Sequence, residues 1–188
     1  GYGVSDAARV TLVLLLVLGN AVFVAAEYAL VTARRGRLED RADKGGRGAR
    51  TALDLMDEPV RFISSVQVGI TIFGIALGAV GEPLVSSYLD FLPRGVAFMV
   101  SFVVLTYLSV TLGELVPKAI ALQKAERIAV ALAAPISLMS RLAYPLVWVL
   151  NHSANAVLRL VHVKPAPAGM IAFTREDIRH SVAAAEDV

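Results

Sequence analysis

The segment Gly113-Glu114-Leu115-Val116-Pro117 concentrates more chemistry than any other part of this chain. Proline has no amide hydrogen, so in a helix Pro117 leaves the Gly113 carbonyl without its partner four residues on. The ring also presses the helix into a kink. That predicts a bare carbonyl beside the Glu114 carboxylate, two hard oxygens converging at a helix break, as broken-helix transporters hold cations. Asn20 and Glu27 are seven residues apart and share one helix face. Ser64, Gln67, Thr71, Gly74 and Gly78 recur at spacings of three and four, and so do Tyr107, Thr111, Glu114 and Lys118. Gly69 and Gly74 permit close backbone approach, and a second break near Gly69 would expose further carbonyls.

The chain has no cysteine, and its three histidines, His152, His162 and His180, all lie in the last quarter. A metal held among the residues above must therefore be bound by oxygen. Carboxylate, amide, hydroxyl and carbonyl oxygens suit Mg²⁺, Ca²⁺, Na⁺ or H⁺ rather than zinc or copper, and the residue types do not choose among the hard ions. Each group also has a plainer reading. Glu114 could bridge to Lys118 one turn on, and Glu27 could bond a neighbouring helix or an arginine. Ser64, Ser65 and Thr71 could bond back to their own helices, and the glycines could serve helix packing. Ionisable groups inside a membrane are functional by default, which favours the ligand reading for Glu114.

These residues sit in unusually apolar surroundings. Of 188 residues 56% are hydrophobic and only 18% charged, and the mean hydropathy is +0.65; a soluble domain needs a more polar exterior. The formal charge of +2 comes with no basic tract interleaved with aromatics, so nucleic acid is not an expected partner. Three stretches reach the roughly 20 apolar residues of a bilayer crossing: residues 10–33, 62–81 and 95–117. The first is too long for a cleaved signal, and its basic cluster follows the apolar run instead of preceding it. Residues 82–94, with Pro83 and Pro93, read as a tight connection between the second and third spans. Each span carries one wettable face, and the three faces are satisfied by meeting one another. Counting from Arg34, Arg61 and Lys118, the residues Glu27, Gln67 and Glu114 come out roughly 6–11 Å from one membrane face.

Arg34, Arg35, Arg37, Arg41, Lys44, Arg47, Arg50 and Arg61 crowd the stretch after the first span, whereas only Arg94 lies in the connection after the second. The positive-inside bias puts the Arg-rich side in the cytoplasm and the N-terminus outside. Within residues 34–61, Gly45-Gly46 predicts a turn, followed by a short amphipathic helix over 49–56 that stops before Pro59. Residues 128–161 are apolar but interrupted by Pro135, Arg141 and Pro145. A fourth crossing would put Arg141 near mid-membrane at a cost of about 3 kcal/mol. The expectation is instead two or three shorter helices along the inner surface. Residues 164–169 have the composition of a linker. Residues 173–179 read as a capped helix start, with Asp177 in the capping-box position, at the beginning of a further region. The expected architecture is thus an all-α membrane protein of three transmembrane helices followed by a juxtamembrane helical belt. Its expected parts are a core over 1–124, a belt over 125–163, and a linker with a truncated helix over 164–188.

The run Asn20-Ala21-Val22-Phe23-Val24-Ala25-Ala26-Glu27, the exit Ala33-Arg34-Arg35-Gly36-Arg37-Leu38, the stretch Phe62-Ile63-Ser64-Ser65-Val66-Gln67-Val68-Gly69-Ile70-Thr71 and Gly113-Glu114-Leu115-Val116-Pro117-Lys118 together resemble the CorC/CNNM (cyclin M) transmembrane domain. The resemblance runs from about residue 12 to 179, with the motifs in order. It implies a homodimeric Mg²⁺ transporter of the cell membrane, exporting Mg²⁺ and exchanging it for Na⁺, whose belt leads to a cytoplasmic CBS pair. It further implies an ion site on the glutamate matching Glu114, with oxygens from the first two helices. Many relatives have serine where this chain has Val24 or Ala26, and asparagine where it has Ile70 and Gly74. Backbone carbonyls, water, Ser65 or Thr71 would take those places. The resulting ligand set is Glu114, Gly113, Ser65, Gly69, Thr71 and Asn20, supported by Gln67, Glu27, Pro117 and Lys118. Two competing readings are a non-transporting anchor for a regulatory domain and a membrane-embedded enzyme. The second is the weaker, because the spans hold no histidine, no paired aspartates and no hydrolase signature.

Overall fold

The structure, a computed structural model, describes residues 2–163, and of residues 2–5 the backbone alone. The linker and capped helix expected over 164–188 lie outside the described residues. Those described form seven α-helices and one π-helical turn, with no strand: α1 (Tyr2–Thr32), α2 (Arg35–Asp43), α3 (Arg47–Asp57), α4 (Pro59–Ser87), α5 (Arg94–Val110), the π-turn (Thr111–Leu115), α6 (Val116–Gln123) and α7 (Ala125–Leu160). Four apolar stretches are long enough to cross a membrane by length and composition: Asp6–Thr32, Pro59–Ser87, Arg94–Gln123 and Ala125–Leu160.

Three boundaries differ from those expected. Helix α4 runs on through Glu82 and Pro83 to Ser87, because a proline near a helix end disturbs only its last turns. The third span continues past Pro117 to Gln123. Residues 125–160 form one helix and not two or three, despite Pro135 and Pro145. Both prolines lie on the exposed side, as do Ala131 and Arg141, four residues before them. The carbonyls that the prolines leave unpaired therefore open outward, away from the packed face.

The packing follows from small residues. Helices α1 and α4 lie antiparallel and lock through a reciprocal pair: the Phe73 ring fills the surface above Gly19, and the Phe23 ring fills that above Gly69. The two rings meet at 5.4 Å between centroids. On its other side α1 packs against the π-turn and α6, while α5 packs on α4, with Leu105 against Gly81. The third span therefore starts beside α4 and ends beside α1. At the Arg-rich end an alanine-rich cluster of Ala26, Ala29, Ala33, Ala121, Ala125, Ala129 and Ala133 closes around Leu30, Leu38, Phe62 and Ile136. Small side chains let helix backbones approach closely there. Elsewhere the outer surfaces carry exposed Leu14, Ile75, Phe98 and Tyr107.

The connection between α1 and α4 folds as the Gly45-Gly46 pair requires. Gly45 has φ +88°, a left-handed conformation that glycine adopts without strain, and the Gly46 N–H donates to the Arg41 carbonyl at 3.0 Å. Helix α3 presents Ala49, Ala52 and Leu55 inward, as its amphipathic pattern predicts. Helix α2 was not anticipated; its signal is Leu38 and Ala42, buried four residues apart. Arg35 ties it down, bonding Asp57 at 2.7 Å and Glu39 at 2.9 Å, and these partners raise its already high pKa.

Helix α7 meets the rest of the chain at the Arg-rich end. Glu126 pairs with Arg37 at 3.7 Å, and Gly48 lies against the Val130 carbonyl. The Ser140 and Ser65 hydroxyls are 3.2 Å apart, and Arg61 stacks over Tyr144 at 4.9 Å. Along these contacts the α7 numbers rise from 140 to 144 while the α4 numbers fall from 65 to 61. The helix thus runs against the start of α4 and away from its apolar middle.

Candidate functional site

The polar groups of the spans meet in two layers. In the deeper one, the Asn20 side-chain Nδ2 donates to the Gly113 carbonyl at 3.1 Å, joining α1 to the π-turn. Both residues are buried, Asn20 at 7% exposure. Pro117 explains the partnership. It withholds the amide hydrogen that the Gly113 carbonyl would otherwise accept, and the backbone responds by widening. The Val116 N–H reaches back five residues to the Thr111 carbonyl, the register of a π-turn. The expected break is therefore a π-bulge in a continuous helix, and the Gly113 carbonyl is not bare. Gly113 keeps this contact close, because a Cβ there would stand 3.0 Å from Asn20 Nδ2 and the amide would have to shift by a few tenths of an ångström.

With its NH₂ group anchored, Asn20 turns its Oδ1 into the interior, where it is buried without a hydrogen-bond partner. Such an oxygen costs about 1–3 kcal/mol unless something satisfies it. It fits a hard cation, which needs an oxygen and offers no hydrogen. Glu114 follows Gly113 directly, but its side chain lies on the exposed side of the π-turn. It forms no ion pair with Lys118, whose Nζ stands 4.5 Å from the centre of the Tyr28 ring.

The shallower layer is Glu27, whose Oε1 accepts from Gln67 Nε2 at 3.0 Å. The sequence spacing put Glu114 at this same depth, and the structure corrects that. Asn20 is paired with Gly113 and Tyr28 with Lys118, so Glu114 lies level with the Asn20 turn. That is about 10 Å deeper than Glu27, at 1.5 Å per residue.

Other expected ligands are placed apart from this pair. Ser65 is buried but engaged, donating to the Arg61 carbonyl at 2.7 Å and facing Ser140. Gly69 holds the Phe23 ring, and α4 passes it without a break. Thr71 is exposed. Among the described residues, no three His, Cys, Asp or Glu side chains gather as a metal cluster. Sequence reasoning did not single out Tyr28, although its place beside Glu27 near the Arg-rich end of a span is a familiar interfacial signal.

Residues 11–188 match the family described as Cyclin M transmembrane N-terminal domain. The chain is 41% identical over 179 residues to a UPF0053 protein of Synechocystis, covering 89% of this chain and 39% of that one. It is 39% identical over 180 residues to an uncharacterized protein of Mycobacterium tuberculosis, covering 93% and 52%. It is 30% identical over 172 residues to a protein of Haemophilus influenzae named polyamine export protein, covering 87% and 39%. The chain thus spans about two fifths to one half of the length of these relatives.

Proposed function

This chain belongs to the family of cyclin M transmembrane N-terminal domains, and from that premise we propose that it forms the membrane pathway of a cation exporter. Its cargo is Mg²⁺, and Na⁺ moving the other way is the coupling ion. The observation that carries this reading is the buried, donorless Asn20 Oδ1 beside the Gly113 carbonyl. The two oxygens form the inner half of a cation site, and Glu114 supplies the negative charge at the same level. Mg²⁺ dehydrates reluctantly and keeps several waters, so one carboxylate and two neutral oxygens suffice for a transit site. An exposed carboxylate at that depth is costly against lipid. Water or a second copy of the chain covers it, which favours a homodimer.

In this reading α1, α4 and the third span cross the cell membrane, with the N-terminus outside. Helix α7 forms a belt on the cytoplasmic face. The basic residues of α2 and α3 support that orientation. The course of α7 against the start of α4 supports a belt over a fourth crossing.

The test is Mg²⁺ flux in proteoliposomes. Asn20→Ala and Glu114→Gln should each abolish it while the protein keeps its oligomeric state. Unchanged flux in both would reject the reading and favour a non-transporting anchor. A second cargo merits the same assay, because one relative is named a polyamine exporter. Glu27 and Glu114, at two depths, would suit a cargo with an ammonium at each end. Spermidine flux that falls in Glu27→Gln, with no Mg²⁺ flux in the unmodified chain, would favour it.

A further inference from the structure

Lys118 holds an unusual position among the charges of the spans. Its ammonium lies over the Tyr28 ring at 4.5 Å, a contact that an aromatic face offers to a cation. Two carboxylates neighbour it along the helices, Glu114 four residues before it and Glu27 next to Tyr28. It forms no ion pair with either among the described residues, and Glu27 is instead engaged by Gln67. The side chain is half-buried, and a lysine stem of four carbons turns its head through several ångströms without moving the backbone. A lysine one turn after a glutamate on the same helix commonly pairs with it. Here the aromatic ring holds it instead.

We propose that Lys118 is a tethered counter-cation that competes with the cargo for Glu114, with the Tyr28 ring as its resting place while the cargo is bound. When the cargo leaves, the ammonium swings to Glu114, so the emptied site is not left as a bare carboxylate in the membrane. Arriving cargo displaces it back to the ring. The competition weakens cation binding and hastens release, by the same factor for any cation that displaces the ammonium. The proposal rests on the reading of Glu114 as a cation ligand, but it assigns Lys118 and Tyr28 roles that this reading does not require. Lys118 thus sets the affinity and release rate of the site, and Tyr28 positions it.

The two residues predict opposite effects, which a purely structural role would not produce. Mn²⁺ binding is measured by electron paramagnetic resonance on the full chain in lipid nanodiscs. Lys118→Met, or Lys118→Gln should the first fold poorly, removes the competitor and should tighten Kd about 5-fold or more while slowing flux. Tyr28→Leu removes the resting place and should weaken binding by a similar factor. Tyr28→Leu should have no further effect in the Lys118→Met background, and Lys118→Arg should keep the original Kd. Weaker or unchanged binding in the lysine variants, or a Tyr28→Leu effect that persists without the lysine, overturns the proposal. Glu114→Gln separates the two levels. If it leaves Kd and flux unchanged, the cation site itself is wrong; if it abolishes binding while Lys118→Met changes nothing, only the role of Lys118 fails.

Discussion

Asn20 and Gly113 are 93 residues apart, and one hydrogen bond of 3.1 Å joins them inside the apolar bundle. The bond answers a deficit that Pro117 creates and leaves the Asn20 carbonyl oxygen facing inward without a donor. A helix irregularity, a buried amide and an acidic neighbour are thereby assembled at one level of the bundle.

Pro117→Ala restores an amide hydrogen four residues after Gly113. The Gly113 carbonyl then gains an intrahelical donor, Asn20 is released, and the π-turn relaxes toward α geometry. The expected result is unchanged or higher thermal stability with reduced Mg²⁺ flux. A variant that loses neither would show that the π-turn is incidental.

Asn20→Ala removes the donor and the orphaned oxygen together. The Gly113 carbonyl loses its partner, but the penalty of the orphaned oxygen, of similar size at about 1–3 kcal/mol, is lifted with it, so the melting temperature should change little. Mn²⁺ affinity should fall by about 10-fold or more, since even the loss of a group that merely orients a metal ligand costs about 10–100-fold.

The reciprocal Phe–Gly lock between α1 and α4 gives a packing prediction separate from transport. A methyl at Gly19 would overlap the Phe73 ring, whereas Gly74 and Gly78 have nothing within 4 Å of an added Cβ. Gly19→Ala should destabilise by about 1–3 kcal/mol, and Gly74→Ala should be neutral in the single chain. Phe73→Leu should rescue part of the Gly19→Ala loss, as a double-mutant cycle would measure.

A Cβ at Gly48 would stand 2.7 Å from the Val130 carbonyl, a backbone atom that cannot turn aside. Gly48→Ala should therefore push α7 from α3 and raise amide exchange over 125–150 with little effect in α1. Ser140→Ala, which removes only the hydroxyl contact to Ser65, should cost about 1 kcal/mol.

Much of this architecture is legible in the residues, and what is not has physical causes. The three apolar stretches, the Gly45-Gly46 turn and the amphipathic α3 are local patterns, and local patterns are readable. The missing donor at Pro117 is local too. The side chain that fills its place is 93 residues away, and only the fold brings it there. Pro135 and Pro145 suggested helix ends, but a proline on the outer face interrupts a single bond without stopping the helix. Residue counts to the nearest basic residue misjudged the depth of Glu114, because Lys118 lies within the third span and not at its end. Ser65 reads as a ligand from its neighbours in sequence, yet its hydroxyl is turned to α7.

Ion-substituted diffraction would show whether a cation rests between Asn20, Gly113 and Glu114. Crystals of the full chain soaked in Mn²⁺ should show an anomalous peak about 2 Å from Asn20 Oδ1, which Mg²⁺ displaces and Asn20→Ala abolishes. An anomalous map with no peak between α1 and the π-turn, or one that shows the Asn20 oxygen bonded to a protein donor, would rule out a cation site there.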